Sequence, residues 1–431
     1  MSANYPSSRY YFCRQLANWL QGADWHFATL LATCIEVVND LPDDCDKLIN
    51  ELLLKHSLKP THKVLTDNLI KSKVVSNWFL NSTPPCVNSI NLQTVEQSVL
   101  IHPSLPLLDT LNDLSTWLNV SDKQLEWFVD LKRYSSSTPQ HLLHYHYHTI
   151  KKRTGSLRLI ESPKTLLKGI QRKILDDILS YTQVHHAAHG FVENRNCLSN
   201  ARLHTNKQHL FLFDLVHYFH SIQWHQVYRV FRDLGYSPTI TKYLSGLCTH
   251  RSYIDQPLLK KLDKTQLERL KQAHLPQGAP TSPALSNAVL YKLDKRLYGL
   301  AKKLGLSYSR YADDLAFSGD KDRNWEFLEP LVGSICLDEG FELNHRKSRH
   351  IKAHQKQQIT GIIVNEKVNI DRRYYDELKA ILTNCLHHGI ASQNHTGHPY
   401  YKDYLLGRIQ YVKQINENKG KKLETIYNRI A

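Results

Sequence analysis

Leu306-Ser307-Tyr308-Ser309-Arg310-Tyr311-Ala312-Asp313-Asp314-Leu315-Ala316-Phe317-Ser318 reads as two strand-like arms around a short acidic turn. An Asp-Asp pair alone is usually a solvated turn. It gains meaning beside Phe211-Leu212-Phe213-Asp214-Leu215, where one carboxylate sits in a nearly continuous apolar run from Leu210 to Val216. Such a run is expected of a buried central strand whose end reaches a site. A lone buried carboxylate is costly unless it is partnered, and a hairpin tip laid beside that strand end brings three carboxylates to one point. The cluster repels itself unless a divalent cation is present. Magnesium prefers oxygen ligands, and two ions about 4 Å apart can activate a hydroxyl and stabilise a departing pyrophosphate. Asp214, Asp313 and Asp314 are therefore the candidate catalytic acids and ligands of two Mg2+ ions, and the implied chemistry is nucleotidyl transfer.

The rest of the composition is compatible with that chemistry. A chain of 431 residues accommodates two to four units of about 100–200 residues each. With 41% hydrophobic and 10% aromatic residues, disorder is not the expected state. The 55 Lys and Arg against 40 Asp and Glu leave a formal charge of +15, a field that favours a polyanionic partner. The eight cysteines are scattered with no CxxC pair, which argues against a disulfide framework or a zinc knuckle. There is no signal peptide pattern, and the longest apolar stretch, Phe27 to Val38, is broken by Thr29, Thr33 and Glu36. It is too short to span a bilayer, so the expectation is a soluble cytoplasmic protein with no membrane partner.

Along the chain, Leu16, Trp19 and Leu20, then Leu48, Leu52 and Leu53, recur at helical spacing. Trp19, Trp25 and Trp78 read as core anchors, and no chemistry is visible in this segment. Pro84-Pro85 and the stretch Pro103 to Pro106 suggest a boundary near 100–105, followed by a short helical unit from Leu107 to Trp127. Tyr145 to Ile160 alternates around Lys152-Arg153-Thr154-Gly155-Ser156, a basic hairpin whose tip suits phosphate. His141, His144, His146 and His148 read as one face of that strand rather than a metal site, since no Cys or carboxylate completes a set. Helical spacing returns over Leu166–Leu179, Ile222–Leu234 and Pro283–Leu304, with Ser282 as N-cap, and basic amphipathic helices cover Arg372–Leu386 and Tyr400–Ile430.

Tyr311-Ala312-Asp313-Asp314 resembles the catalytic box of reverse transcriptases, and other blocks follow in that family's order across roughly residues 105 to 430. The resemblance implies that Lys152, Arg153 and Arg158 hold the incoming triphosphate, and that Phe219, five residues beyond Asp214, is the aromatic gate against a 2′-hydroxyl. Leu275-Pro276-Gln277-Gly278-Ala279-Pro280-Thr281-Ser282-Pro283 resembles the block whose Gln277 and Gly278 would face the nascent base pair. Gly340-Phe341, Asn344 and Lys347 resemble the next, with Lys347 placed to protonate pyrophosphate. Asn200-Ala201-Arg202-Leu203-His204 and Ile359-Thr360-Gly361 are similar to two signatures of retron reverse transcriptases, with isoleucine where those enzymes carry valine, and His189-Gly190-Phe191 resembles a further block. By that likeness Asn200, His204, Thr360 and Gly361 would contact RNA, joined by Arg408 and Lys413 of the C-terminal helices.

The fold implied is α+β, a right-hand polymerase: a helical N-terminal extension at 1–104 of unassigned role, fingers at 105–209, a palm at 210–369 and a helical thumb at 370–431. The activity implied is RNA-directed DNA synthesis that copies part of a structured noncoding RNA from deoxynucleoside triphosphates. That RNA would serve as template and primer, giving a branched RNA-linked DNA in antiphage defence, with an effector protein as further partner. Two alternatives keep the same blocks: a defence-associated polymerase with protein-primed or template-independent synthesis, and an RNA-binding scaffold without catalysis.

Overall fold

The computed structural model describes residues 6–39, 41–80, 84–87, 102–130, 138–139, 142–151, 157–253, 262 and 264–430. The chain divides into two compact units, Met1–Val95 and Glu96–Ala431. The first is helical, with Pro6–Gly22, Phe27–Val37, Cys45–Lys55, His62–Lys71 and Lys73–Trp78, and a short pairing of β1 (Val38–Asn39) with β2 (Cys86–Val87). Leu16, Leu20, Leu48 and Leu52 form part of its own buried core together with Trp78, while Trp19, Trp25 and Leu53 pack against it. The helical spacing of those leucines thus marks a real inward face.

In the second unit the sequence Thr110 to Val129 forms two short helices, Leu111–Leu118 and Asp122–Val129, each opened by a reciprocal capping box at Thr110 or Ser121. The expected basic hairpin is present as β3 (Tyr145–Lys151) paired with β4 (Leu157–Pro163), in register from Tyr145↔Pro163 to Lys151↔Leu157. Its tip, with Lys152 and Arg153, lies outside the described residues. His144 is buried against the Trp127 carbonyl and His148 bonds Ser162; among the described residues neither joins a metal-type cluster.

The centre is a four-stranded antiparallel sheet in the order β6-β7-β5-β8, built from β5 (His209–Asp214), β6 (Ser307–Tyr311), β7 (Asp314–Gly319) and β8 (Arg349–Lys352). The apolar run containing Asp214 is paired on both sides, which is why it needs no polar face. Helices Thr165–Asp177, Trp224–Asp233, Pro238–Cys248 and Tyr291–Leu304 contribute Ile174, Phe231, Leu244 and Leu297 to the core that also holds Phe213, Leu315 and Phe317.

A smaller sheet, β9 (Gln358–Ile359), β10 (Ile362–Ile363) and β11 (Asn369–Ile370), shares a separate core with the C-terminal helices Arg372–His388, Tyr401–Ile415 and Glu417–Tyr427. One boundary shifts. The helix expected from Pro283 to Leu304 is two helices, Ser282–Val289 and Tyr291–Leu304, and the N-cap position of the first falls on Thr281, which makes no side-chain cap bond, rather than on Ser282. The Ser282 hydroxyl donates instead to the Pro276 carbonyl at 2.7 Å, which ties the helix start to the loop before it.

Candidate active site

The strand ladder brings the aspartates together. In the β5–β7 register Asp214 stands opposite Asp314, and in the β6–β7 hairpin Tyr311 stands opposite Asp314. Ala312 and Asp313 are left as the two-residue turn, with Ala312 at φ +55°. Two-residue turns between twisted strands require this left-handed backbone, and the Leu215 amide donates to the Asp313 carbonyl at 3.1 Å, closing the turn onto the end of β5. Burial, and then the charge of Asp214, raise the Asp313 carboxyl above its usual range. Burial, followed by Asp313 and Asp214, pushes Asp314 up to about 7.

An all-oxygen, partly desolvated and self-repelling set of this kind fits a hard divalent cation. The cluster is looser than a closed ligand shell: among the described residues only Glu161, His220 and His274 hold donor atoms all within 4.8 Å. Lys347 already neutralises one member, its ammonium donating to Asp214 Oδ2 at 2.6 Å, and the Asn344 side-chain amide donates to Oδ1 at 3.3 Å. The Asn344 backbone amide donates to the Asp214 carbonyl at 2.8 Å.

Behind the turn lies an ion pair that motif reading missed. Arg310 and Asp294 are both fully buried and doubly bonded, Nε to Oδ1 at 2.8 Å and Nη2 to Oδ2 at 2.7 Å. Arg310 also donates to the Ala312 carbonyl at 3.1 Å and to the Tyr218 hydroxyl at 3.1 Å, so it braces the turn from below. A signal existed: Tyr308 and Arg310 share one face of β6, and both reach Asp294.

On the same side, the His189 amide donates to the Arg310 carbonyl at 2.7 Å. A Cβ at Gly190 would lie 2.6 Å from the Ala312 backbone nitrogen. Only glycine lets this segment approach the acidic turn so closely.

Ser309, on the opposite face of β6, meets the first retron-type signature. Its hydroxyl donates to Asn200 Oδ1 at 2.5 Å, and the two ring nitrogens of His204 lie 2.7 Å from the hydroxyls of Ser309 and Ser318. Asn200 and His204 are buried, at 1% and 0% exposure. Neither side chain is presented to RNA, because both are consumed in fixing the catalytic hairpin to the helix Cys197–Arg202. Burial holds His204 down to about 3, so it is neutral and can donate from one nitrogen while accepting at the other.

The second signature forms the tight β9–β10 turn, with Thr360 at φ +46° and Gly361 at φ +87°. Its Thr360 hydroxyl donates to the Cys197 carbonyl at 3.4 Å, and Gly361 approaches Tyr411. The two signatures are thus neighbours in space.

Phe219 is partly buried beside Tyr218 and faces Phe191, with ring centroids 6.2 Å apart. It helps line a cavity of about 430 Å3 with Phe191, Gly278 and Pro280, where Lys168 and Arg172 supply positive charge. These two cations, on the helix Thr165–Asp177, carry no motif and were not among the expected site residues. Gln277 accepts from the Glu161 amide at 2.9 Å, and Gly278 sits at φ +137°, where a Cβ would lie 2.9 Å from the Glu161 carbonyl oxygen. Strand β4 and the Gln277–Gly278 loop are therefore in direct backbone contact. Arg158, exposed on β4, is close enough for its charge to lower Asp313 against the larger effects that raise it.

Arg408 and Lys413 are half-buried on the C-terminal helix Tyr401–Ile415. Arg408 bonds the Tyr374 hydroxyl and Glu377, and Lys413 bonds both oxygens of Glu424.

Residues 150–364 match the family described as reverse transcriptase (RNA-dependent DNA polymerase). The retron Mx65 reverse transcriptase of Myxococcus xanthus is 34% identical over 336 residues, covering 76% of this chain and 73% of its own. The retron Mx162 reverse transcriptase of the same organism is 37% identical over 60% of this chain and 54% of its own, and the retron Ec86 reverse transcriptase of Escherichia coli is 26% identical over 76% and 91%. An acidic turn held against a central strand, followed by neighbouring signature segments and matched along three quarters of the chain, identifies a bacterial retron reverse transcriptase, an RNA-directed DNA polymerase with the right-hand fold of that family.

Proposed function

We propose that this enzyme copies part of a structured noncoding RNA into a single-stranded DNA that stays joined to its RNA through a branch, and that it works in antiphage defence with an effector protein. The observation that carries the catalytic part is the register of Asp214 opposite Asp314, with Asp313 next to it in the β6–β7 turn. These three carboxylates are suited to holding two Mg2+ ions, which when bound would make a primer hydroxyl nucleophilic and neutralise the departing pyrophosphate.

The remaining roles belong to the chain. Lys347 holds the proton that the leaving pyrophosphate needs, at the edge of the carboxylate cluster. Arg158, with Lys152 and Arg153 of the same hairpin, grips the triphosphate. Phe219 walls the sugar side of the cavity, and Gln277 and Gly278 present the backbone on which the new base pair rests.

In this reading residues 105–209 act as fingers, 210–369 as palm and 370–431 as thumb, with 1–104 a helical extension. The edge formed by the helix Cys197–Arg202 and the Thr360–Gly361 turn reads the RNA, with Asn200 and His204 holding it from beneath. Arg408, paired with the exposed Glu377, and Lys413, paired with the half-exposed Glu424, can exchange these carboxylates for phosphates, since such surface pairs are weak. Among the described residues no helix is long and apolar enough to cross a membrane.

Sequencing the DNA made in cells that carry the chain with its native flanking locus tests the proposal. The expected product is templated by a neighbouring RNA, and its 5′ end is released only by debranching and RNase treatment. A homopolymer or a protein-linked strand would overturn it.

A further inference from the structure

Glu161 on β4, His220 in the helix Tyr218–Ser221 and His274 in the segment leading to Gln277 meet inside the second unit. They come from three separate stretches of chain and belong to neither the carboxylate cluster nor the signature network. Glu161 and His274 have 0% exposure and His220 3%. Their donor atoms all lie within 4.8 Å of one another.

The spacing is that of ligands around a common centre. His274 Nε2 lies 3.0 Å and His220 Nε2 3.4 Å from the same carboxylate oxygen, Glu161 Oε2. Donors bound tetrahedrally at about 2.0–2.2 Å from zinc are separated by about 3.3–3.6 Å along each edge.

The groups around the cluster orient it in the same sense. His274 Nδ1 donates to the Gln272 carbonyl at 2.7 Å. In the neutral ring that bond puts the proton on Nδ1 and leaves the Nε2 lone pair facing the cluster, the outer-shell arrangement usual for a metal-bound imidazole. The Ser252 hydroxyl donates to Glu161 Oε1 at 2.5 Å, which turns Oε2 inward. His220 Nε2 is buried and has no hydrogen-bond partner.

A plain ion pair between Glu161 and His274 leaves the His220 nitrogen 3.4 Å from Oε2 and without a well-formed hydrogen bond. A cation at the centre uses all three donors. Two imidazoles and a carboxylate are a ligand set that zinc uses, and the complete burial gives a substrate no access, which marks a structural rather than a catalytic ion.

We propose that Glu161, His220 and His274 form a structural zinc site that fastens strand β4 to the loop carrying Gln277 and Gly278, with a water or the second Glu161 oxygen completing four-coordination. The ion links three segments: the hairpin with the triphosphate-side cations, the helix that follows Asp214 and carries Phe219, and the loop beside the cavity. Its loss loosens the nucleotide-side wall without touching the aspartates. The expected kinetic signature is a higher KM for deoxynucleotide with kcat less affected.

The test uses the full-length, untagged chain, purified without chelator and analysed by plasma mass spectrometry. The expected result is about one zinc per chain, falling below about a tenth in Glu161→Gln and His220→Asn, while Asp313→Ala keeps its zinc. Zinc-edge X-ray absorption on the unaltered protein should show two imidazoles within a light-atom shell, a result that does not depend on any variant folding. Unaltered protein with no stoichiometric zinc, with stoichiometric iron in its place, or with zinc undiminished in both variants overturns the proposal.

Discussion

The Lys347 ammonium lies 2.6 Å from Asp214 Oδ2 although its side chain is 54% exposed. A half-exposed pair contributes little to folding, so its place is better explained by chemistry. Lys347→Ala is expected to lower kcat for single-nucleotide incorporation by about 100-fold, with Lys347→Arg recovering part of it and the melting temperature nearly unchanged. A rate within a few-fold of the parent enzyme would remove Lys347 from the reaction.

Asp314 carries a pH prediction for the metal-free protein. Its carboxyl is raised by burial and by Asp313 and Asp214 to about 7, from an ordinary value of 3.8. Between those two values the folded state binds the extra proton, so this group stabilises the fold as pH falls from about 7 toward 4 and loses that contribution as pH rises. Asp314→Asn should flatten this part of the stability curve and raise the melting temperature at pH 8 while abolishing synthesis. Denaturation across pH with chelator present measures it; identical curves for the two proteins would count against the repulsion.

Gly190→Ala should be severe for a position with no reactive group. The added carbon would stand 2.6 Å from the Ala312 nitrogen, and backbone on both sides leaves the acidic turn as the part that moves. A displacement of this order at reacting groups costs about 100-fold in rate. Primer extension is the readout, with circular dichroism to verify folding. Near-normal extension would show that the turn has room to adapt.

His204→Ala should act on stability rather than on RNA affinity. It strips partners from Ser309 and Ser318 and opens a cavity under the hairpin, a loss of about 2–4 kcal/mol. Urea denaturation and RNA binding by the folded fraction separate the two effects. Weakened binding with unchanged stability would restore a direct RNA contact.

The acidic centre was legible because its ingredients are local: an apolar run with one carboxylate, and two strand arms around an Asp-Asp turn. The leucine spacing of the N-terminal unit and the basic hairpin were legible for the same reason. What could not be read was which distant side chain stands behind each element. Arg310 reaches across to Asp294, Ser309 reaches to Asn200, and Glu161 meets two histidines far along the chain. Periodicity says which residues share a face, but not what packs on it. For that reason Asn200 and His204 looked like surface contacts in a motif and are interior braces in the fold. Lys168 and Arg172 reached the cavity unannounced, since a cation on a helix is usually just solvated.

The ladder that sets Asp214 beside Asp314 has a consequence for how this enzyme can change. Neighbouring residues of a strand point to opposite sides, so a slip of a single step between β5 and β7 would aim one aspartate at the reaction and the other into the apolar interior. Small drifts in alignment have no half-active intermediate to pass through. Insertions and deletions should therefore be confined to connecting loops, and the sheet should tolerate exchange of side chains far better than any change in its length.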